Sequence, residues 1–232
     1  MKRARAIVAI DGPVGAGKTT AARELARALG FSYLSTGAMY RAFAIAARAA
    51  GISPDAADVE QKLAPLLNTV RITFDGERIL LDGRDLGLEI ADPRVSDLAS
   101  RFSMLPAVRE KMRDWQRAAA ADGGVVMEGR DIGTVIFPDA EFKFFLDAEV
   151  GVRARRRFEE LSAQGEAVSE AEVRASLIER DARDRGRELA PLRAAADAVV
   201  IDSSHLTMSQ VIAHMKSAID AAHNAGKGLK PK

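Results

Sequence analysis

The chain has 232 residues and a mass of 24.9 kDa, with 34 Lys and Arg residues against 33 Asp and Glu. A net charge this close to zero argues against attraction of the whole molecule to nucleic acid or to an anionic membrane, so any basic site is local. Because the chain has no cysteine and only three histidines, disulfides and thiolate metal sites are excluded and a zinc site is not expected.

The N-terminal apolar run is too short to be a membrane signal. Basic residues occupy part of 1–5, and the apolar run after them continues for only about six residues, less than a signal-peptide core or a transmembrane helix needs. We therefore expect a cytoplasmic protein.

The chain then reads as strand, phosphate loop and helix. The apolar run 7–10 precedes the pattern G-x-x-x-x-G-K-[ST], and an amphipathic segment continues to Leu29. Glycines let backbone N–H groups face a phosphate, a helix N-terminus adds partial positive charge, and Lys18 can reach the outer phosphates of a nucleotide. A Gly-rich turn with an exposed lysine explains neither flank. We predict a triphosphate site formed by Gly12, Pro13, Val14, Gly15, Ala16, Gly17, Lys18, Thr19 and Thr20.

A short strand at 31–34 and a long Ala-rich helix ending near Gly51 are predicted next. Ser35 or Thr36 can cap this helix. Arg41 is a candidate for a second phosphate at the carboxyl edge of the sheet. The alternative is a solvated helix arginine.

The segment from 52 to 121 departs from the βα pattern. Apolar and polar residues alternate on either side of Asp75-Gly76, a type I′ hairpin signal. An antiparallel insertion of this kind either closes over a substrate or is a structural excursion. The elements predicted here are a helix from Ser53 to before Asn68, the hairpin, a third strand at 86–88, a helix capped by Asp92 through about Phe102, and a helix from Pro106 to about Ala121.

A polar loop follows the buried strand predicted at 125–128. It carries Arg130 and Asp131 between Gly129 and Gly133. Open α/β sheets bind ligands at the carboxyl ends of their strands, so we expect this loop to line the site. The alternative is a surface turn with an ion pair.

Two arginine-rich helices follow the next buried strand, at 142–147. The second, from about Ser169, carries Arg180, Asp184 and Arg187 on one face. Arginine donors match phosphate oxygens, so this hairpin can fold over a triphosphate. In the alternative the hairpin is solvated and its arginines are neutralised by Glu159, Glu160, Glu179 and Asp181.

The remaining elements complete an α/β chain. A last strand is predicted at 198–202, followed by a helix with a capping box formed by Thr207 and Gln210, and then a frayed tail at 227–232.

The chemistry favours a small kinase. The guanine-reading motif N-K-x-D of GTPases is absent, and no apolar run ends in the Asp-Glu of motor and transporter ATPases. Lys18 and Mg²⁺ would hold the donor nucleotide, and Arg41 and Arg130 the acceptor. Thr19 or Thr20 would approach the Mg²⁺, directly or through water. An acceptor phosphate is already an anionic nucleophile, so no general base is assigned.

The chain resembles the bacterial cytidylate kinases, within the nucleoside monophosphate kinases. Four segments carry the resemblance: D-G-P-V-G-A-G-K-T-T at Asp11, T-G-A-M-Y-R at Thr36, E-G-R-D-I-G-T-V-I-F-P-D-A at Glu128 and R-D-x-R-D-R-x-R at Arg180. The resemblance implies ATP- and Mg²⁺-dependent conversion of CMP or dCMP to the diphosphate. We also expect a monomer with no nucleic-acid or membrane partner.

The resemblance also implies an architecture: one P-loop kinase domain of three layers around a five-stranded parallel sheet. Its core would be 1–35, 93–148 and 188–224, with an acceptor-side insertion holding a small antiparallel sheet at 36–92. A mobile helical lid with its following helix would occupy 149–187, and a tail 225–232.

Carried over by position, the resemblance implies three groups of CMP contacts. The base pocket falls on Thr36, Arg109, Asp131 and Arg187, the sugar contacts on Ser100, Arg180 and Asp184, and the phosphate contacts on Arg41 and Arg130. Tyr40 joins the CMP contacts, and Arg157 the ATP contacts. Asp131 can accept from the exocyclic amine of cytosine, where uracil has a carbonyl.

Three residues depart from the family pattern. Val14 stands where serine or another small residue is usual, Ser35 where aspartate is common, and Thr19 where glycine is usual. Two other functions remain open from the residues alone. One is a phosphate-loop kinase for another acceptor, such as UMP or a sugar acid; the other is an ATP-responsive RNA-binding protein.

Overall fold

The computed structural model describes residues 3–224, which form two compact units. The second unit is the continuous segment Leu34–Ala121, and the first contains the chain before and after it. In the described residues, no helix is both long and apolar enough to span a membrane.

Both units contain helices and strands. The strands are β1 (Ile7–Asp11), β2 (Ser32–Ser35), β3 (Ile72–Asp75), β4 (Arg78–Leu81), β5 (Arg84–Asp85), β6 (Val125–Gly129), β7 (Phe142–Asp147) and β8 (Val199–Asp202). The helices are α1 (Lys18–Leu29), α2 (Thr36–Ala49), α3 (Val59–Thr69), α4 (Pro93–Phe102), α5 (Pro106–Ala119), α6 (Val150–Ala163), α7 (Glu170–Gly186) and α8 (Met208–Asn224).

A five-stranded sheet in the order β2-β6-β1-β7-β8 organises the first unit. Strand β1 pairs in parallel with β6 and β7, placing Ile7 opposite Val125 and Val8 opposite Phe142, and β7 pairs in parallel with β8. Every residue of β1 and β6 is buried, as the continuous apolar runs predict for central parallel strands. The predicted parallel sheet is confirmed.

Helices α1 and α8 pack on this sheet in one shared core. Leu25 of α1 and Met215 of α8 are fully buried with Ile10 and Phe144 of the sheet. Alanines on the buried face of α1, among them Ala21 and Ala22, let the helix approach the strands closely. This packing fixes the N-terminus of α1 at the carboxyl end of β1.

The second unit combines helices α2 to α5 with a three-stranded antiparallel sheet in the order β3-β4-β5. Phe43 and Phe102 are fully buried and meet edge to face, with ring centroids 5.6 Å apart. Asp92 caps α4 by accepting from the Arg94 N–H at 2.8 Å, and Pro93 opens the helix, as predicted.

The predicted start of α3 is wrong. A turn occupies the chain after Ser53, in which the Ala56 N–H donates to the Ser53 carbonyl at 3.3 Å, and the helix begins only at Val59. Asp55, in the segment predicted to start the helix, forms an ion pair with Arg101.

The details of the predicted hairpin also need correction. Asp75 lies opposite Arg78, so the two central residues are Gly76 and Glu77 rather than Asp75 and Gly76. Of these two only Gly76 has a positive φ, 61°, whereas a type I′ turn requires both. The third strand is Arg84–Asp85, and the segment predicted as a strand lies partly in the 3₁₀ turn Gly87–Ala91.

Candidate functional site

The phosphate loop connects β1 to α1, as predicted. Gly12, Gly15 and Gly17 have φ values of 149°, 78° and 90°, a region that favours glycine. A Cβ at Gly12 would also overlap the carbonyl oxygen of Leu146. Backbone N–H groups can therefore turn inward here, at the N-terminus of α1, where a phosphate is favoured.

Lys18 lies inside this loop. Its side chain is buried, and Nζ donates to the carbonyl oxygen of Pro13 at 2.6 Å. Burial and the positive charge of Arg130 lower the pKa of Lys18 to about 7, although Glu128 and Asp11 oppose the shift. An anionic phosphate beside Nζ would favour the charged ammonium.

The loop after β6 and the C-terminal part of α7 come together around Asp184. The Asp184 carboxylate accepts from Nε of Arg130 at 3.0 Å, and Nη1 of Arg187 lies 3.8 Å from its other oxygen. Burial would raise the pKa of Asp184, but the charges of Arg130, Arg187 and Arg180 outweigh it and hold that pKa below its usual value. Arg130, Asp184 and Arg187, which we call the Asp184 cluster, thus bring two predicted acceptor segments together.

The face predicted for α7 is formed by Arg180 and Asp184 only, because the helix ends at Gly186 and Arg187 follows it in extended backbone. Asp184 and Arg187 point to the cluster, and Arg180 is near enough to influence Asp184 electrostatically. Asp181 and Arg185 turn away, as predicted, toward Arg153 and toward Asp147 at 3.7 Å respectively.

Arg153 has a structural role that the sequence did not reveal. It is buried, and its guanidinium donates to the carbonyl oxygens of Ala148 at 2.8 Å and Val14 at 3.2 Å and to the Asp181 carboxylate at 2.6 Å. One arginine therefore ties the phosphate loop to both helices of the arginine-rich hairpin. Its only sequence signal is its place in the first turn of a helix that follows a parallel strand.

Two of the other α6 arginines have acidic neighbours, whereas Arg156 donates to the Ser203 carbonyl at 2.7 Å. Arg157 lies 2.7 Å from a Glu160 oxygen, and Arg155 lies 3.3 Å from Glu159. Both ion pairs are ones that the solvated-hairpin alternative predicts. The assignment of Arg157 to ATP stays a prediction.

In the second unit, α2 carries three of the predicted residues in its first two turns. Ser35, rather than Thr36, is the cap: its hydroxyl accepts from the Ala38 N–H at 3.2 Å. Thr36 is buried, whereas Tyr40 and Arg41 are half-buried.

The junction of α4 and α5 brings Ser100 and Arg109 together through Ser103. The Ser103 hydroxyl donates to the Ser100 carbonyl at 2.6 Å, and Nη1 of Arg109 donates to the Ser103 carbonyl at 3.3 Å. Both predicted residues are buried, so their side chains are held in place by the fold of the second unit.

Two carboxylates at strand ends were not assigned from the sequence. Glu128 of β6 is buried, and its Oε1 accepts from the Thr19 hydroxyl at 3.1 Å and from the Tyr33 hydroxyl at 3.2 Å. Asp11 of β1 is buried and accepts from the N–H groups of Ile132 and Gly133, both at 2.8 Å. Their position at the carboxyl ends of adjacent parallel strands was the available signal.

Burial raises the pKa of Asp11 to about 7, and the negative charge of Asp131 adds to the rise. The two backbone N–H bonds and the charge of Lys18 act in the opposite direction. Asp131 itself is buried in the loop that follows β6.

Comparison with known proteins assigns this arrangement to a family. The family model for cytidylate kinase matches residues 8–221. The chain is 48% identical over 217 residues to a cytidylate kinase of Citrifermentans bemidjiense, with 92% of each chain covered. It is 46% identical over 226 residues to one of Geobacter sulfurreducens, with 96% of each covered. The chain belongs to the cytidylate kinase family.

A solved structure supports the fold of this cytidylate kinase family member. An uncharacterized protein from Eubacterium ventriosum aligns over 94% of this chain and 99% of its own, with a TM-score of 0.52 and 13% identity. At that identity the likeness concerns the fold alone.

Each departure from the cytidylate kinase pattern has a structural place. Val14 packs against the small apolar core of the α6–α7 hairpin, which includes Leu161 and Val173. Ser35 caps α2. Thr19 donates its hydroxyl to Glu128, a contact that glycine cannot make.

The donor set beside the phosphate loop fits Mg²⁺. Thr19 and Glu128 supply hydroxyl and carboxylate oxygens, and in kinases this ion takes few protein ligands because phosphates and water complete its coordination. Among residues 3–224 no group of three or more His, Cys, Asp or Glu side chains could hold a metal, so these residues do not form a metal site made of protein ligands alone.

Proposed function

We propose that this member of the cytidylate kinase family transfers the γ-phosphoryl group of ATP to CMP or dCMP, giving CDP or dCDP and ADP. The observation that carries the proposal is the Asp184 cluster, which holds Arg130 at the end of the strand beside the phosphate-loop strand. The relatives named cytidylate kinase support the choice of acceptor.

The donor side is the phosphate loop. Its N–H groups and Lys18 bind the phosphates of ATP, with Arg157 as a further ligand. Mg²⁺ neutralises charge on the donor phosphates when it is bound. Thr19 would contact the ion, and Glu128 would orient the Thr19 hydroxyl or hold a coordinated water; Thr20 is the alternative ligand.

The acceptor phosphate is bound by Arg130 and Arg41. Two anions that repel each other must be placed in line, and arginine is suited to this because its donors match phosphate oxygens in a fixed plane. Asp184 fixes the guanidinium of Arg130 through Nε, which leaves other donors of that side chain for phosphate. Catalysis here is chiefly positioning and charge neutralisation.

Cytosine selection is assigned to Asp131, which accepts from the exocyclic amine, together with Thr36, Arg109 and Arg187. Ser100, Arg180 and Asp184 contact the sugar, and Tyr40 lies with the CMP contacts. These roles rest on the family resemblance. We further propose a monomeric state and a cytoplasmic location.

The test is ADP release from ATP and Mg²⁺ with CMP, dCMP, UMP, AMP, GMP and shikimate as acceptors. We expect CMP and dCMP to be strongly preferred, and Lys18→Ala to abolish turnover. Asp131→Asn should narrow the preference for CMP over UMP, because an amide can donate to the uracil carbonyl. If only another acceptor is turned over, the protein is still a kinase but the assignment of CMP as its acceptor is wrong. If no acceptor is turned over, the proposal that the protein is a kinase is refuted.

A further inference from the structure

Asp11 is a buried carboxylate to which the proposed reaction gives no role. It ends β1, with only 4% of its surface exposed, and each of its two oxygens accepts one backbone N–H at 2.8 Å. The two N–H groups belong to Ile132 and Gly133, which follow the end of β6 and lie more than a hundred residues further along the chain.

The segment that Asp11 holds begins directly after Arg130 and Asp131. It is a single π-helical turn, Ile132–Ile136, in which the N–H groups of Val135 and Ile136 donate to the Asp131 carbonyl at 2.9 and 3.2 Å. The first N–H groups of such a turn have no partner within it. The Asp11 carboxylate supplies that partner, so it determines where the turn starts and where the Asp131 backbone lies.

The Lys143 side chain also packs against the start of this turn. A Cβ at Gly133 would lie 3.1 Å from Cδ of Lys143, so the chain runs close against the Lys143 stem. Nζ of Lys143 donates to the carbonyl of Pro138 at 2.5 Å and to the carboxylate of Asp197 at 2.8 Å. Lys143 therefore contacts the turn at Gly133 and the chain just beyond it at Pro138.

Asp11 is also bonded directly to the phosphate loop. The next residue, Gly12, is confined by its φ of 149° and by the Leu146 carbonyl. A single side chain thus joins the backbone that binds the donor to the backbone that carries Arg130 and Asp131.

We propose that Asp11 is a positioning residue of the phosphoryl transfer: its carboxylate locks the Arg130–Asp131 segment to the phosphate-loop strand and so sets the place of the acceptor relative to the donor. This inference rests on the proposed function, because that function assigns Arg130 and Asp131 to the acceptor. Both oxygens are needed as acceptors, which an isosteric amide cannot provide, since its NH₂ group would face a backbone N–H.

The experiment compares Asp11→Asn with Glu141→Gln as a matched control. Glu141 accepts the N–H of Ile7, at the opposite end of the same strand, through one oxygen at 2.8 Å, and an amide oxygen can keep that bond. In Asp11→Asn we expect the KM for CMP to rise about tenfold, with the KM for ATP changed less than twofold, because one buried N–H loses its acceptor. In Glu141→Gln both KM values should stay unchanged.

A merely structural role would lower the melting temperature and kcat without separating the two KM values. That result, or an equal rise of both, would overturn the proposal. If the wild type does not turn over CMP, the proposed function has failed; if it does and Asp11→Asn retains its KM for CMP, this inference has failed.

Should Asp11→Asn not fold, amide exchange in the wild type gives a second test. Both N–H groups bonded to Asp11 should exchange as slowly as the amides of β1, although they start a loop segment. Exchange of Ile132 and Gly133 at the rate of exposed turn amides would refute the proposal.

Discussion

Asp184 combines the roles of a buried anion and of an anchor for arginines. Its carboxylate would be costly to bury alone, yet Arg130 and Arg187 neutralise it at the point where the acceptor phosphate is proposed to bind. The same interaction holds Arg130 in one orientation before substrate arrives, which lowers the entropy cost of binding.

The lowered pKa of Asp184 predicts how stability depends on pH. The folded-state pKa lies below the usual 3.8, so the contribution is fully present above about pH 4 and is lost as pH falls through the folded value. Asp184→Asn should destabilise the protein by roughly 2 kcal/mol at pH 7. The difference in unfolding free energy between wild type and variant should become smaller between pH 4 and pH 2. Urea unfolding at a series of pH values measures this. Glu166→Gln, at an exposed site, is the control, and a difference that widens in acid would contradict the assignment.

Thr19 and Thr20 are the two candidate metal contacts of the phosphate loop. The Thr19 hydroxyl donates to Glu128, which leaves its oxygen lone pairs for a cation. Thr19→Ala should therefore weaken Mn²⁺ binding to the ADP complex by about tenfold, whereas Thr20→Ala should not. Electron paramagnetic resonance of Mn²⁺ reports this without turnover. Loss in the Thr20 variant alone would reassign the metal contact.

At the scale of elements, the phosphate loop depends on the close approach of Gly12 to the backbone of β7. Gly12 combines a φ of 149° with a Cβ position that the Leu146 carbonyl of β7 already fills. Gly12→Ala should cost about 3 kcal/mol of folding free energy and abolish ATP binding. Gly151→Ala is the matched change, because it lies in α6 with open space around its Cβ and should gain up to about 1 kcal/mol. Equal melting temperatures for the two variants would refute this account.

The elements that could be predicted from the sequence are those with local signals. The α4 boundaries follow from Asp92 and Pro93, and the α8 start from the Thr207–Gln210 capping box, in which each side chain accepts the other's backbone N–H. The α3 start could not be predicted, since Asp55 contacts Arg101, far along the chain.

The same distinction applies to the site. Lys18 and the glycines have a spacing that predicts phosphate binding. On α7 the spacing of four between Arg180 and Asp184 predicts a shared face, whereas Arg187 reaches Asp184 from just past the end of the helix. Asp11, Glu128 and Arg153 act through partners distant in sequence, so their places at strand ends and in a first helical turn suggest that they lie near the site but do not reveal these contacts. Such roles need the fold before they can be assigned.

At the scale of the molecule, the α6–α7 hairpin is the element whose motion we expect to accompany binding. Exposed residues connect the two helices around Gly165, and the hairpin has a small core of its own. Amide exchange around Ser162 and Gly165 should slow when ATP and CMP are added together, because hairpin arginines gain phosphate partners. Amides of α8 serve as the internal control. Exchange that stays unchanged would rule out closure.

The strand order also determines how long β1 waits for its partner strands during synthesis. β1 is synthesised first, yet both of its neighbours come late: Ile7 pairs with Val125, and Val8 with Phe142. At ribosomal rates of about 5–20 residues per second, this apolar strand stays unpaired for on the order of ten seconds. The continuous segment Leu34–Ala121 is complete before either neighbour emerges. During translation, the nascent chain therefore presents a chaperone with an unprotected Ile-Val-Ala-Ile stretch.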